Sequence, residues 1–130
     1  LNIEIKKTQF LARINKNGKI YIVGSNGKFS KNNYLIKNLP FIFGNPKINE
    51  FLNLKKSIDK SKISYDEVKN LFFFQSNRWD VELDNNIIIK LSKDNVIQSI
   101  NYAYDFLKNN TFIENKIIDV RVKDQIIING

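Results

Sequence analysis

The chain has 130 residues, enough for one domain with a real core, and a formal net charge of +8 from 21 lysines and arginines against 13 acidic residues. It holds neither cysteine nor histidine, which removes disulfides, thiolate chemistry, the usual zinc sites and histidine-based triads. The basic excess is lysine scattered through an asparagine- and isoleucine-rich chain, with arginine only at 13, 78 and 121. No nucleic-acid motif accompanies it.

No apolar run is long enough to span a bilayer, and no signal peptide is present. The sequence begins at Leu1 without methionine and reads as a fragment, any membrane anchor lying upstream.

Residues 1–7 (LNIEIKK) alternate as a strand does but have no local pairing partner, which suits the end of a preceding domain. Residues 10–14 and 19–23 form a hairpin around 15–18, and Ser25, Asn26 and Gly27 turn the chain into a strand at 28–30. The glycines at 24 and 27 lead into a strand rather than a helix, so they cradle no phosphate. Residues 39–44 (LPFIFG) are a short apolar strand or buried extended segment, with Pro40 itself outside any central ladder position.

Asn45 and Pro46 suit the start of a helix whose inner side carries Ile48, Phe51 and Leu52, extending to Lys55 and Ile58. Residues 55–62 read as a solvated charged stretch. Residues 64–75 return toward the sheet, and the consecutive Phe72, Phe73 and Phe74 require either that both faces be covered or that one ring be exposed.

Trp79, Val81 and Leu83 alternate with Asp80, Glu82 and Asp84, and Ile87, Ile89 and Leu91 continue the rhythm. A three-residue loop at 85–87 keeps the apolar residues on one face, with Leu83 opposite Ile89, Glu82 opposite Lys90 and an asparagine in the left-handed region. Trp79 belongs to the core. Asp80, Glu82 and Asp84 form a solvated strand face rather than a metal or acid–base site. A helix opening at Ser92 or Asp94 presents Val96, Ile97, Ile100, Ala103, Tyr104 and Leu107 on one side and ends at Asn109 and Asn110.

The chain returns through Ile118, Val120 and Val122, turns at Lys123 and Asp124, and leaves as a last strand at 125–128. Arg78 and Arg121 pair with nearby carboxylates. The last strand lacks an internal lysine or proline to guard it. Either it pairs with something further or inserts centrally, or it accepts a partner strand through main-chain hydrogen bonds.

The fold class is α+β: an antiparallel sheet built from hairpins, two helices packed on one face, and the C-terminal strand at the sheet edge. No repeat or low-complexity linker interrupts it.

The ordered set LNIEIKKTQFLARI, GSNGKF, LPFIFGNP, RWDVELDNNIIIKL, the helix after it, and IIDVRV resembles the extracytoplasmic β domain of the bacterial cell-division family FtsQ/DivIB over nearly the whole chain. That resemblance implies that residues 1–7 are the last strand of a truncated POTRA domain and residues 8–130 the β domain. It further implies a single transmembrane helix upstream and a place on the periplasmic face of the inner membrane at the septum. The implied role is that of a divisome scaffold with no enzymatic activity and no cofactor, binding FtsB and FtsL by strand addition.

Aligned on IIDVRV, the resemblance makes Arg121, Val122, Asp124 and Gln125 contact positions and Ile126, Ile127 and Ile128 the pairing strand. Val122 stands where relatives carry tyrosine, Asp124 and Gln125 where they carry a serine-glycine turn, and the terminal aromatic of some relatives is missing. These departures bear on side-chain contacts more than on main-chain pairing. A charge or proline at Ile127 is the expected disruption. A basic domain binding an anionic polymer or membrane surface is the alternative reading, with steep salt dependence as its mark. Hydrolytic chemistry is disfavoured by the missing histidine and cysteine.

Overall fold

The computed structural model describes residues 9–31, 38–111 and 113–130. Residues 1–7, expected as a strand, lie outside the described residues. Among the described residues nine strands form one sheet: β1 (Phe10–Lys16), β2 (Lys19–Gly24), β3 (Phe29–Lys31), β4 (Phe41–Phe43), β5 (Val68–Phe74), β6 (Arg78–Leu83), β7 (Ile88–Lys90), β8 (Ile117–Asp119) and β9 (Ile127–Asn129). Their spatial order is β3-β2-β1-β4-β5-β6-β7-β8-β9. The helices are α1 (Ile48–Lys60), between β4 and β5, and α2 (Val96–Asn109), between β7 and β8.

The architecture is α+β, but the sheet is mixed rather than antiparallel. β4 runs parallel to β1 and β5, and β8 runs parallel to β7. Helices account for two of these three pairs, β4–β5 across α1 and β7–β8 across α2. A 13-residue helix rises about 20 Å, which carries the chain back along the sheet, so the strand after it must run the same way as the strand before it.

Period-two alternation builds the core. Ile14, Ile42, Leu71, Val81, Ile89 and Ile118 lie in one register row across six strands, and all are buried. Phe51, Leu54 and Ile58 of α1 and Ile100 and Ala103 of α2 join the same core. Each such large aliphatic or aromatic side chain contributes roughly 1.5–3 kcal/mol. Trp79 is buried as expected, its ring 4.9 Å from that of Phe73.

Several boundaries moved. α1 starts at Ile48 rather than at Pro46, with Lys47 as N-cap, its N–H donating to the Glu50 carboxylate at 3.0 Å. It also runs through residues 55–60, where Ile58 is buried, so the expected charged stretch is mostly helix. Its fully buried face is 51, 54 and 58, the i, i+3, i+7 stripe, which leaves Leu52 partly covered. α2 starts at Val96 rather than at Ser92 or Asp94, and ends at Asn109. β3 begins one residue later than expected, at Phe29.

The β6–β7 loop has three residues and a left-handed asparagine, Asn86 (φ 64°). It consists of Asp84, Asn85 and Asn86, because Leu83 N–H donates to the Ile87 carbonyl at 2.8 Å. The register is therefore Val81 opposite Ile89 and Glu82 opposite Ile88. Ile87, expected in the loop, is fully buried, and burying it holds the pairing two residues from the expected one. A two-residue shift keeps every side chain on its face.

Candidate partner-binding edge

β9 ends the strand order among the described residues and pairs antiparallel with β8: Asp119 opposite Ile127, Ile118 opposite Ile128, Ile117 opposite Asn129. The strand expected at 125–128 is thus displaced, and a loop at 120–126 takes the place of the short turn. Asp124 adopts a left-handed φ of 59°, and Gln125 N–H donates to the Val122 carbonyl at 3.2 Å. The displacement follows from Ile126, which is partly buried against the core and so belongs to the loop's anchor rather than to the paired strand.

Of the seven expected site residues, Arg121, Val122, Asp124 and Gln125 are exposed on this one loop. Ile127 and Ile128 lie on β9, 41% and 45% exposed. Behind the loop, the start of α2 opens a groove of about 440 Å³ lined by Ser92, Asn95, Tyr102, Val120, Arg121 and Val122.

The hydrogen-bond phase of the ladder decides which peptide groups are on offer. Ile88 N–H donates to the Lys116 carbonyl, and Val120 N–H donates to the Lys90 carbonyl. Residues 116, 118 and 120 therefore direct their main chain at β7, and 117 and 119 direct theirs at β9. Asp119 with Ile127 and Ile117 with Asn129 are then the hydrogen-bonded pairs. Ile128, between them, points its N–H and C=O outward. A proline at Ile127 would accordingly break the β8–β9 ladder itself, not the free edge.

On the face away from the helices, Asp80, Lys90, Asp119 and Ile127 form one row. Asp119, 8% exposed, accepts from Arg121 through the backbone N–H (3.1 Å), Nε (2.9 Å) and one terminal guanidinium nitrogen (2.6 Å). Those bonds hold its carboxyl below the usual range. Asp80 was expected on a solvated face, yet it is 6% exposed and paired with Arg78. Burial raises its pKa, partly opposed by Arg78, Lys90 and Arg121. Asp80 is buried because it stands on a central strand, with Phe72 opposite it on β5 and Lys90 opposite it on β7. The expected pairing of Arg78 and Arg121 with nearby carboxylates holds, through Asp80 and Asp119, neither of which was named as the partner, and Lys90 stands opposite Asp80 rather than Glu82. The signal present was the Asp-x-Arg spacing at 119 and 121 and its mirror at 78 and 80, which puts each pair on one side of a strand. Among the described residues, no group of three or more potential metal ligands comes together.

The family model for the cell division protein FtsQ/DivIB, C-terminal, matches residues 12–121. The chain belongs to this family. An FtsQ/DivIB domain is a cell-division component, and the family works within the divisome alongside other division proteins. The match ends at Arg121, so most of the 120–126 loop and β9 lie beyond it. The fold is also similar to the major extracytoplasmic domain of the trans isomer of the bacterial cell division protein DivIB from Geobacillus stearothermophilus. That likeness covers 84% of this chain and 99% of the other, at 8% identity and a TM-score of 0.55. No curated protein matches the FtsQ/DivIB chain described here in sequence.

Proposed function

We propose that this FtsQ/DivIB chain is a non-enzymatic scaffold domain of the divisome that binds the FtsB and FtsL pair by accepting a partner strand on β9. The observation that carries the reading is the outward peptide group of Ile128 on a terminal strand without lysine or proline. Main-chain pairing gives such an interface its register, while side chains around it supply the anchors that offset the ordering of the added segment. Val122, Ile126, Ile127 and Ile128 are the apolar anchors here. Arg121, Asp124 and Gln125 are the polar contacts at the loop end. In the same reading, residues 1–7 close a preceding POTRA domain and residues 8–130 form the β domain. The domain stands on the periplasmic face of the inner membrane at the septum, held by a transmembrane helix upstream.

The test is a titration of the chain with a peptide from the C-terminal extracytoplasmic part of FtsB of the same organism, repeated across a salt series with the Ile128→Pro variant alongside. Binding that the proline abolishes and salt weakens only modestly supports strand addition. Binding that disappears with modest salt and ignores the proline points to an anionic polymer or membrane surface.

A further inference from the structure

Arg121 is the one arginine of three that stands on the loop beside β9. An arginine on a loop normally samples many rotamers, and fixing it on binding costs entropy. Here the contacts with Asp119 oppose that freedom. The Asp119 carboxylate engages Nε and one terminal nitrogen of the guanidinium, and also the Arg121 backbone N–H, so both ends of the side chain are tied to one group. The side chain nevertheless remains 45% exposed, and its other terminal nitrogen has no part in the fork. Asp119 is in turn fixed by its surroundings, with Lys90 beside it in register and Asp80 with Arg78 one strand further on. The backbone of Asp119 pairs with Ile127 of β9, so the carboxylate and the free edge are held in one rigid unit.

We infer that Asp119 is a positioning residue for partner binding: it holds the Arg121 guanidinium preorganised beside the β9 edge, with one N–H edge left for an acceptor on the incoming segment. The inference rests on the strand-addition reading above. Its mark is a sign opposite to simple electrostatics. Asp119→Asn removes a negative charge and raises the net charge, which favours an anionic partner if charge alone counts. Preorganisation requires the same change to weaken binding, by about tenfold, because a freed Arg121 must be ordered again.

The experiment has two arms on the intact 130-residue chain. The first records the arginine Nε–H signals by 15N NMR, which three arginines make readable, with Arg121→Lys for assignment. A slowly exchanging Arg121 Nε–H that becomes fast in Asp119→Asn, while the signals of the other two arginines are unchanged, is the expected result. Equally fast exchange in both proteins overturns the inference without reference to any partner. The second is a double-mutant cycle of Asp119→Asn and Arg121→Gln against the FtsB peptide. The Asp119 change is expected to weaken binding in the wild-type background and to have no effect in the Arg121→Gln background. An equal loss in both backgrounds shows that Asp119 acts through the fold and overturns the inference. Binding by the wild-type chain that Asp119→Asn leaves unchanged overturns it as well, with strand addition intact. No binding by the wild-type chain overturns strand addition and this inference together.

Discussion

Ile128 stands directly opposite Ile118 in the β8–β9 register, yet the peptide groups of the two residues point away from each other, those of Ile118 into β7 and those of Ile128 off the end of the sheet. Proline at 128 therefore removes an outward donor and leaves the internal ladder whole. Ile128→Pro is expected to cut partner affinity at least tenfold with the melting temperature within a few degrees of wild type. Ile127→Pro is expected to lower both, since its N–H belongs to the pairing with Asp119. Thermal unfolding followed by circular dichroism, beside the peptide titration, separates the two. Equal effects of both prolines would refute the assigned phase.

The two buried aspartates titrate in opposite senses, and stability should follow. The folded-state pKa of Asp119 is depressed, so its contribution is present above the ordinary carboxylate pKa and is lost as pH falls through the lower folded value. That of Asp80 is raised by burial, so the folded state holds this proton more tightly than the unfolded chain does. Its contribution declines as pH rises from the ordinary value through the raised one. In urea titrations between pH 3 and 7, Asp119→Asn should flatten the acid-side loss, while Asp80→Asn should remove the opposing trend. Parallel shifts in the two variants would contradict these signs.

Tyr65, in the short 3-10 turn before β5, donates its O–H to the Leu11 carbonyl at 2.6 Å, tying that turn to β1. Burial, with Asp59 nearby, pushes its phenol pKa upward. Tyr65→Phe should cost about 1 kcal/mol, the net worth of one such bond with its acceptor left behind. Denaturant unfolding at neutral pH gives the number, and a loss near zero would mean that water replaces the hydroxyl without cost.

Gly44 follows β4 with φ 99°, and a Cβ placed there would collide with the carbonyl oxygen of Phe73. Both the backbone region and the close approach to β5 require glycine. Gly44→Ala is expected to destabilise by about 2 kcal/mol or more. Ala at Gly18, whose surroundings are open, should cost less, because only the left-handed turn conformation (φ 83°) opposes it. Reversal of that order in denaturant unfolding would count against the β4–β5 contact.

Alternation and helical periodicity are local, so the sequence alone determined which residues face the core. The register row running from Ile14 through Leu71 and Val81 to Ile118 uses the apolar positions that alternation marks. The same holds for the inner stripe of α2, for Phe51 and Ile58 of α1 though not for Leu54, for the burial of Trp79, and for the odd-length loop with its left-handed asparagine. What is not local had to await the tertiary structure. Strand direction depends on where a crossover returns the chain, and the crossovers through α1 and α2 set parallel pairs at β4–β5 and β7–β8 in a sheet expected to be antiparallel. The burial of Asp80 depends on what neighbouring strands place beside it. The β9 displacement depends on Ile126 finding the core. Which isoleucine offers its main chain is set by how β8 is already bonded to β7. A hydrogen-bond phase passes from strand to strand across the sheet, so it is a property of the assembled ladder and not of the residues that end it.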